Sequence, residues 1–277
     1  MPNTAHEMIM QMVFGEFNYG QAKAYCASIE GFSVKLAIVY VVSIFSVKFY
    51  MKDRKAYDLQ LPLNIWNAIL SVFSGLGFFY TFTTFLNIAY NKGISQIHTT
   101  ISEVYTDKTC GYWVFLWVLS KIPELVDTYF IVLRKRPLMF MHWYHHALTG
   151  YYAIVNYSEE NAHMFWLVWT NYGIHAAMYG YYFLRSLKVN VPPQVAQTIT
   201  TLQMVQFSIA IAAQLHVGIL AISTTGSYPV TFRGWFIGMF MLITYFALWI
   251  RFYNISYYSK GGKKYVAHMN GNTKKRN

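Results

Sequence analysis

Three histidines, His142, His145 and His146, lie within the five-residue segment HWYHH and are the side chains best suited to chemistry. Offsets of three and four residues place the three imidazoles within about one turn of a helix. An imidazole can act as nucleophile, general base or metal ligand. An apolar stretch follows the segment, so these histidines would lie just inside a membrane, a depth at which polar groups are usually functional.

Polar side chains also interrupt three other apolar segments. They are Lys121, Glu124, Asp127 and Thr128 in the first, Asn171, His175, Tyr179 and Tyr182 in the second, and Thr200, Gln203 and Gln206 in the third. Spacings of three or four residues predict one shared helical face in each segment. An unpaired charge at mid-bilayer costs ~2.5–3.5 kcal/mol. Lys121, Glu124 and Asp127 must therefore face protein or water, as a catalytic group or as a structural salt-bridge network.

The composition predicts the elements that position these groups. The 277-residue chain is 55% hydrophobic and only 12% charged, against roughly 25% charged in a soluble domain. A membrane span needs about 20 mostly apolar residues. Seven candidates lie near residues 34–50, 62–86, 112–133, 138–157, 162–184, 196–222 and 234–254. The sequence therefore predicts an all-α integral membrane protein with seven transmembrane helices, in one membrane domain over residues 34–258.

The net charge of +11 reports orientation in the membrane rather than binding to nucleic acid. Sixteen of the 22 basic residues follow spans one, three, five and seven, and five lie on the other side. The positive-inside rule then predicts a lumenal N-terminal segment, residues 1–33, and a cytosolic basic tail, residues 259–277. Counted from the cytosolic ends, Asp127, His145, His175 and Gln203 all lie roughly 9–14 Å deep. This agreement predicts one water-accessible pocket that opens toward the cytosol.

Two kinds of chemistry fit the histidine cluster. Membrane di-iron oxygenases of the desaturase type also use an HxxHH box, but they need several such boxes, and the remaining histidines form no second one. A single metal held by the box, His175 and Asp127 is the weaker alternative. The favoured interpretation needs no metal: the imidazoles act as nucleophile or general base, and the carboxylates of Glu124 and Asp127 orient them.

Three features concern the two membrane faces. Cys26 and Cys110 are both predicted to be lumenal, where they could form a disulfide or remain free thiols. Asn156 begins the glycosylation sequon Asn-Tyr-Ser in a predicted lumenal loop. The chain ends Lys-Lys-Arg-Asn, with Lys274 and Lys275 placed as in a dilysine signal for return to the endoplasmic reticulum. The alternative for this tail is attraction to anionic lipid.

Taken together, these motifs resemble the signatures of the ELO family, the very-long-chain fatty acid elongases of the endoplasmic reticulum. The matching motifs are KxxExxDT from Lys121, the HxxHH box, NxxxH from Asn171 and QxxQF from Gln203. The resemblance runs from about Pro62 to Tyr258, with Trp66 and Asn67 fitting the second span of the family. The Trp143-Tyr144 pair inside the box resembles the subgroup that acts mainly on saturated and monounsaturated acyl chains.

The resemblance implies that six of the seven helices surround an acyl-chain tunnel closed at its lumenal end. It implies condensation of a long-chain acyl-CoA with malonyl-CoA to 3-oxoacyl-CoA, carbon dioxide and CoA, with no cofactor besides these substrates. The partners of such an enzyme in the endoplasmic reticulum membrane would be the other enzymes of the elongation cycle: the 3-oxoacyl-CoA reductase, the 3-hydroxyacyl-CoA dehydratase and the enoyl-CoA reductase. The competing interpretations are a metal-dependent desaturase or hydroxylase and a seven-span receptor.

Roles consistent with this chemistry follow from the residue types. His145 would attack the acyl thioester and carry the chain as an acyl-imidazole, while His142 and His146 orient or deprotonate it. His175 would act at the malonyl group or stabilise the enolate, beside the Lys121, Glu124 and Asp127 face. The candidate substrate-binding residues are Asn171, Tyr179, Tyr182, Gln203, Gln206, Arg134 and Arg136. The two arginines could hold CoA phosphates or only anchor the cytosolic loop.

Overall fold

The computed structural model describes residues 16–258, and secondary structure in this range is helical. The α-helices are α1 (Tyr19–Ser28), α2 (Glu30–Tyr50), α3 (Gln60–Asn91), α4 (Ser102–Thr106), α5 (Lys108–Ser120), α6 (Val126–Leu133), α7 (Phe140–Ser158), α8 (Met164–Ser186), α9 (Pro193–Ser223) and α10 (Phe232–Tyr253). Short 3₁₀ turns occupy Ile94–Ile97 and Pro123–Leu125, and a π-helical turn at Asn254–Tyr258 extends α10. The all-α prediction is confirmed for the described residues.

Four of these helices are long and apolar enough to cross a membrane. They are α2, α3, α9 and α10 with its π-helical extension to Tyr258. Large apolar side chains on their surfaces are exposed, including Phe49, Phe79, Ile222 and Phe236. Contiguous exposed apolar surface of this kind is suited to lipid. Over residues 16–258 the protein is therefore an all-α membrane protein with four clear apolar spans.

The other three predicted spans, 112–133, 138–157 and 162–184, coincide with α5 plus α6, α7 and α8. These three spans carry most of the polar candidate site residues, which lowers their mean hydropathy, and the first of them is divided into two helices. The total of seven transmembrane helices stays a prediction for this chain.

The break lies where the sequence places a proline. Helix α5 ends at Ser120, a 3₁₀ turn covers Pro123–Leu125, and α6 begins at Val126. Proline has no N–H to donate to the preceding turn and its ring clashes with the carbonyl there. Pro123 thus accounts for the break in the predicted third span. Because the helix is reset at this point, residues on either side of the turn do not keep one continuous face.

The helices pack so that the polar segments meet inside the bundle. Helix α3 lies along α8, α9 packs on both α8 and α10, and α7 packs against α2 and α10. The interior is rich in fully buried aromatic residues, among them Trp117, Tyr152, Tyr172 and Tyr245. Helix α2 begins at Glu30, four residues before the predicted start of the first span, and it lies directly against the helix that carries the histidine box.

The structure bears on two features of the predicted lumenal side. Cys26 and Cys110 are both buried free thiols, which agrees with the second of the two alternatives for this pair and not with a disulfide. Asn156 lies within α7 rather than in a loop, is fully buried, and donates from Nδ2 to the carbonyl of Tyr152 at 3.0 Å. A buried side-chain amide cannot accept a glycan. The predicted dilysine signal at Lys274 and Lys275 lies outside the described residues.

Candidate active site

A buried ion pair lies at the break between α5 and α6. The Nζ atom of Lys121 is 2.7 Å from Oε1 of Glu124, and the two side chains are 4% and 5% exposed. Ser120 donates to the same carboxylate oxygen at 2.8 Å. Lys121 also donates to Oδ1 of Asn171 at 3.4 Å, and Trp117 donates to that oxygen at 2.8 Å. Each buried charge therefore has an opposite charge and a further hydrogen bond, as buried ions require.

Asp127 belongs to a different cluster, which corrects the expectation of one face shared with Lys121 and Glu124. Its Oδ1 accepts a short hydrogen bond from the indole N–H of Trp66 on α3, and its Oδ2 accepts one from Tyr179 on α8 at 2.6 Å. The ring of Tyr179 lies 5.5 Å from the ring of buried His175, centroid to centroid. Asp127 thus joins α3, α6 and α8 next to a candidate catalytic histidine.

The histidine box occupies the first two turns of α7. His142 and His146 have ring centroids 4.5 Å apart, and His145 and His146 have theirs 5.4 Å apart. The Nε2 atom of His142 lies 3.0 Å from the hydroxyl of Thr128 on α6. His146 is buried, whereas His142 and His145 are partly accessible. The predicted clustering of the three imidazoles is borne out.

His145 is fixed on one side and open on the other. Its Nδ1 lies 3.3 Å from the hydroxyl of Thr149, and the Tyr245 hydroxyl donates to its backbone carbonyl at 2.9 Å. Its ring centroid is 4.7 Å from that of Tyr245 and 5.6 Å from that of Trp249. Within residues 16–258, no hydrogen bond is made by Nε2 of His145. That nitrogen is the one that a substrate could meet.

Gln203 reaches this histidine through an aromatic residue. Its Oε1 accepts from the indole N–H of Trp249 at 2.9 Å, and Trp249 packs on His145. Gln206 is also buried on α9, but it makes no hydrogen bond to the histidines in the described structure. Helices α6 to α10 thus all contribute polar side chains to the same region. These side chains form several separate hydrogen-bonded groups, which are in contact through aromatic rings.

Three predicted binding residues lie apart from the box. Tyr182 is 45% exposed, and its ring contacts that of Tyr181 with centroids 5.6 Å apart. Arg134 follows the last residue of α6 and donates to Oε1 of Gln60 at 3.3 Å. Arg136 is exposed after the same helix. These arginines are at the predicted cytosolic mouth of the bundle rather than beside the imidazoles.

Several aromatic residues of the site were not selected from the sequence as functional residues. They are Tyr40, Trp66, Trp117, Tyr245 and Trp249, each with a hydrogen bond to a polar group of the region. A search of the spans for polar residues does not select them, because aromatic residues make up 19% of this chain and most of them are expected to be packing residues. The available signal was the rule that a buried Tyr hydroxyl or Trp N–H usually finds a partner.

A single metal ion is the alternative that the sequence leaves open for this region. In the part of the chain that the structure describes, no group of three or more His, Cys, Asp or Glu side chains is arranged to hold a metal ion.

Helices that can cross a membrane, together with a buried cluster of histidines and carboxylates, define a multi-pass membrane protein with an internal polar site. Comparison with known proteins identifies the family. The sequence profile of the ELO family, described as the GNS1/SUR4 family, matches residues 27–265. The chain belongs to this family.

Individual relatives agree with this assignment. The chain is 43% identical over 239 residues to long chain fatty acid elongase 1 of Caenorhabditis elegans, covering 85% of this chain and 82% of the relative. It is 36% identical over 227 residues to very long chain fatty acid elongase 6 of Drosophila melanogaster, with 82% and 72% covered. It is 32% identical over 258 residues to the human very long chain fatty acid elongase 3, with 92% and 94% covered. The relatives span several elongase types, so the subgroup stays a prediction.

Proposed function

We infer that this chain is a long-chain fatty acid elongase that catalyses the condensing step, with 3-oxoacyl-CoA synthase activity. It joins a long-chain acyl-CoA to malonyl-CoA and forms 3-oxoacyl-CoA, carbon dioxide and CoA. Family membership and relatives named as elongases over more than four fifths of the chain support this activity. The mechanism assigned to individual residues below is proposed from the geometry of the site.

The open Nε2 of His145 is the observation that carries the mechanism. In the first stage this nitrogen attacks the thioester carbonyl of the acyl-CoA, the carbon–sulfur bond breaks, and the CoA thiolate leaves with the proton that the His145 imidazole gives up. The acyl chain remains as an acyl-imidazole. In the second stage malonyl-CoA loses carbon dioxide, and the resulting enolate carbon attacks the acyl carbon. The carbon–carbon bond forms as the bond from the acyl carbon to Nε2 breaks, and the released imidazolate takes up a proton from water to regenerate neutral His145.

The neighbouring groups support each stage. Contacts with Thr149, Tyr245 and Trp249 hold the His145 ring, so that Nε2 keeps one direction. His146, with its ring centroid 5.4 Å from that of His145, and His142, 4.5 Å from His146, are assigned to moving a proton for it. His175 lies near the charges of Lys121 and Glu124, a position suited to stabilising the negative charge of the enolate.

The binding residues divide by chemistry. The oxygen of Asn171 accepts from Trp117 and Lys121. Its amide N–H₂ group makes no hydrogen bond within residues 16–258 and can donate to a thioester oxygen. Tyr179, which donates to Asp127, packs on His175 and positions it, and Gln203 positions His145 through Trp249. Arg134 and Arg136 at the mouth are assigned to the CoA phosphates. Gln206 and Tyr182 are assigned to the walls of the substrate path.

The wider assignments rest on the sequence. Seven spans follow from the apolar stretches, and a lumenal N-terminus with a cytosolic C-terminus follows from the distribution of basic residues. The acyl chain would enter a tunnel among the last six spans. Residence in the endoplasmic reticulum follows from the family resemblance and the dilysine-type tail, and association with the reductases and dehydratase of the cycle follows from the family resemblance. Saturated or monounsaturated acyl chains are the expected substrates, from the Trp143-Tyr144 pair.

The mechanism is tested by incubating the purified protein with acyl-CoA alone. We expect one equivalent of CoA release and a mass increase equal to the acyl group, located by peptide mapping on His145. His145→Ala should give neither product. His163→Gln is the matched control, because His163 is a buried histidine of the same bundle whose ring nitrogens make no hydrogen bond in residues 16–258. CoA release that requires malonyl-CoA, with no adduct, would replace this mechanism by direct attack with histidine as the base.

A further inference from the structure

Helix α2, the first predicted span, contributes to the surroundings of the histidine box. It packs along α7 and α6. A small pocket between these elements is bordered by Ser33 and Ala37 of α2 and by Lys121 and His146 of the candidate site. The first helix therefore closes the active-site region on one side, although it was expected to lie outside the ring of six tunnel helices.

One side chain of α2 is connected to the box by two hydrogen bonds. The hydroxyl of Tyr40 lies 2.6 Å from Oγ1 of Thr128, and Oγ1 lies 3.0 Å from Nε2 of His142. Tyr40 is 2% exposed and Thr128 is fully buried. The two bonds span three elements, from α2 through α6 to α7, so the arrangement depends on tertiary packing rather than on local sequence.

The direction of the two bonds follows from counting protons. Within the described residues, the Tyr40 hydroxyl has no polar partner other than Thr128, so it must donate to Thr128 or leave its proton buried and unpaired. An unpaired buried donor costs about 1–3 kcal/mol. Thr128 then accepts from Tyr40 and has one proton to give, which it directs to Nε2 of His142. A neutral imidazole that accepts at Nε2 carries its proton on Nδ1.

We propose that Tyr40 is a positioning residue for the condensing reaction, which acts through Thr128 to hold His142 in one orientation and in the Nδ1–H tautomer. The proposal rests on the proposed function, in which the box performs the chemistry. It gives the first span a role in the reaction without contact to the substrate. It also explains why a phenol and a threonine hydroxyl are buried together at this helix junction.

The adjoining residue offers a matched control. Tyr129, next to Thr128, makes a short hydrogen bond with Ser43 across the same junction between α2 and α6. In the described part of the chain, neither Tyr129 nor Ser43 is hydrogen-bonded to the box. Tyr129→Phe and Tyr40→Phe therefore each remove one hydroxyl and one bond between the same two helices. Only Tyr40→Phe removes the proton that orders Thr128 toward His142.

Steady-state condensation assays on purified variants test the proposal. Tyr40→Phe should lower kcat about three- to tenfold, the effect of one neutral hydrogen bond, and leave the KM values for both substrates within about twofold. Thr128→Val should have at least that effect, and Thr128→Ser should recover kcat relative to Thr128→Val. Combining Tyr40→Phe with Thr128→Val should add nothing further, because both break one relay. Tyr129→Phe should keep the wild-type kcat.

Equal losses in Tyr40→Phe and Tyr129→Phe, or a Tyr40→Phe variant with wild-type kcat, would overturn the relay. His142→Ala and His145→Ala separate this failure from failure of the proposed function. If both histidine variants are inactive while Tyr40→Phe is fully active, only the relay is wrong. If the histidine variants keep activity, the role of the box is wrong. Size-exclusion profiles of every variant verify that each is folded.

Discussion

The ion pair of Lys121 and Glu124 makes the two possible roles of this cluster, structural and catalytic, experimentally separable. Both side chains are at least 95% buried, and their charged atoms are 2.7 Å apart. Removing one member of such a pair leaves an uncompensated charge and typically costs about 3–5 kcal/mol. Replacing both with neutral groups of similar shape can be almost neutral for stability.

The contacts around the pair set the size of the effect. In Glu124→Gln the new amide oxygen can still accept from Ser120 and Lys121, and Lys121 keeps Asn171 at 3.4 Å. We therefore expect the lower end of the range, a loss of about 3 kcal/mol, which lowers Tm by about 6–12 °C for a domain of this size. Lys121→Met leaves a buried carboxylate with one hydrogen bond and should lose about 4–5 kcal/mol.

The informative variant is the double substitution Lys121→Met with Glu124→Gln. It has no buried charge, and we expect its Tm to return to within about 4 °C of the wild type, which corresponds to about 1 kcal/mol. Its condensing activity should nevertheless stay at least tenfold below wild type, because Asn171 has lost its cationic donor and His175 its charged neighbours. Thermal unfolding in detergent and initial-rate assays on the same preparations measure both quantities.

A double variant no more stable than either single variant would refute the electrostatic reasoning. A double variant with wild-type stability and wild-type activity would show that the pair is structural only.

Two further predictions follow from packing. Gly77→Ala should destabilise the protein by about 1–3 kcal/mol, since a Cβ at this position of α3 would lie 2.3 Å from the ring of buried Tyr172. Gly75→Ala is the control, with nothing within 4 Å of the added carbon, and should leave the Tm unchanged or slightly raised. Because Asn156 is fully buried in α7, treatment with an N-glycosidase should leave electrophoretic mobility unchanged; a shift would mean that this end of α7 opens during synthesis.

The clustering of the histidine box could be predicted because it depends on spacing within one helix. Offsets of three and four residues specify a shared face wherever the helix is regular, and α7 is regular from Phe140 to Ser158. The same rule failed between Glu124 and Asp127. There the 3₁₀ turn at Pro123–Leu125 resets the helix, so the two carboxylates turn to different neighbours. The proline was visible in the sequence, but the direction in which each carboxylate would turn was not.

Depth in the membrane was a weaker guide than it first appears. It predicts one level for Asp127, His145, His175 and Gln203, and it could not specify which of them touch. The structure joins Gln203 to His145 through Trp249 and Asp127 to His175 through Tyr179. Both intermediaries are aromatic residues with a single polar atom.

A division of side chains into apolar and polar therefore does not identify the Tyr and Trp residues that hold this site together. An indole or phenol provides most of its surface to the lipid-like interior and one directed proton to a carboxylate, amide or imidazole. In the apolar interior of a bundle such a donor lowers the hydrophobicity of a span only slightly, whereas a lysine or glutamate needs its counter-charge beside it. Tyr40, Trp66 and Trp249 connect separate helices to the site in this way. The catalytic imidazoles are thus held by residues that a search for charge would not select, and the Tyr40→Phe and Tyr129→Phe pair measures how much of the activity depends on one such proton.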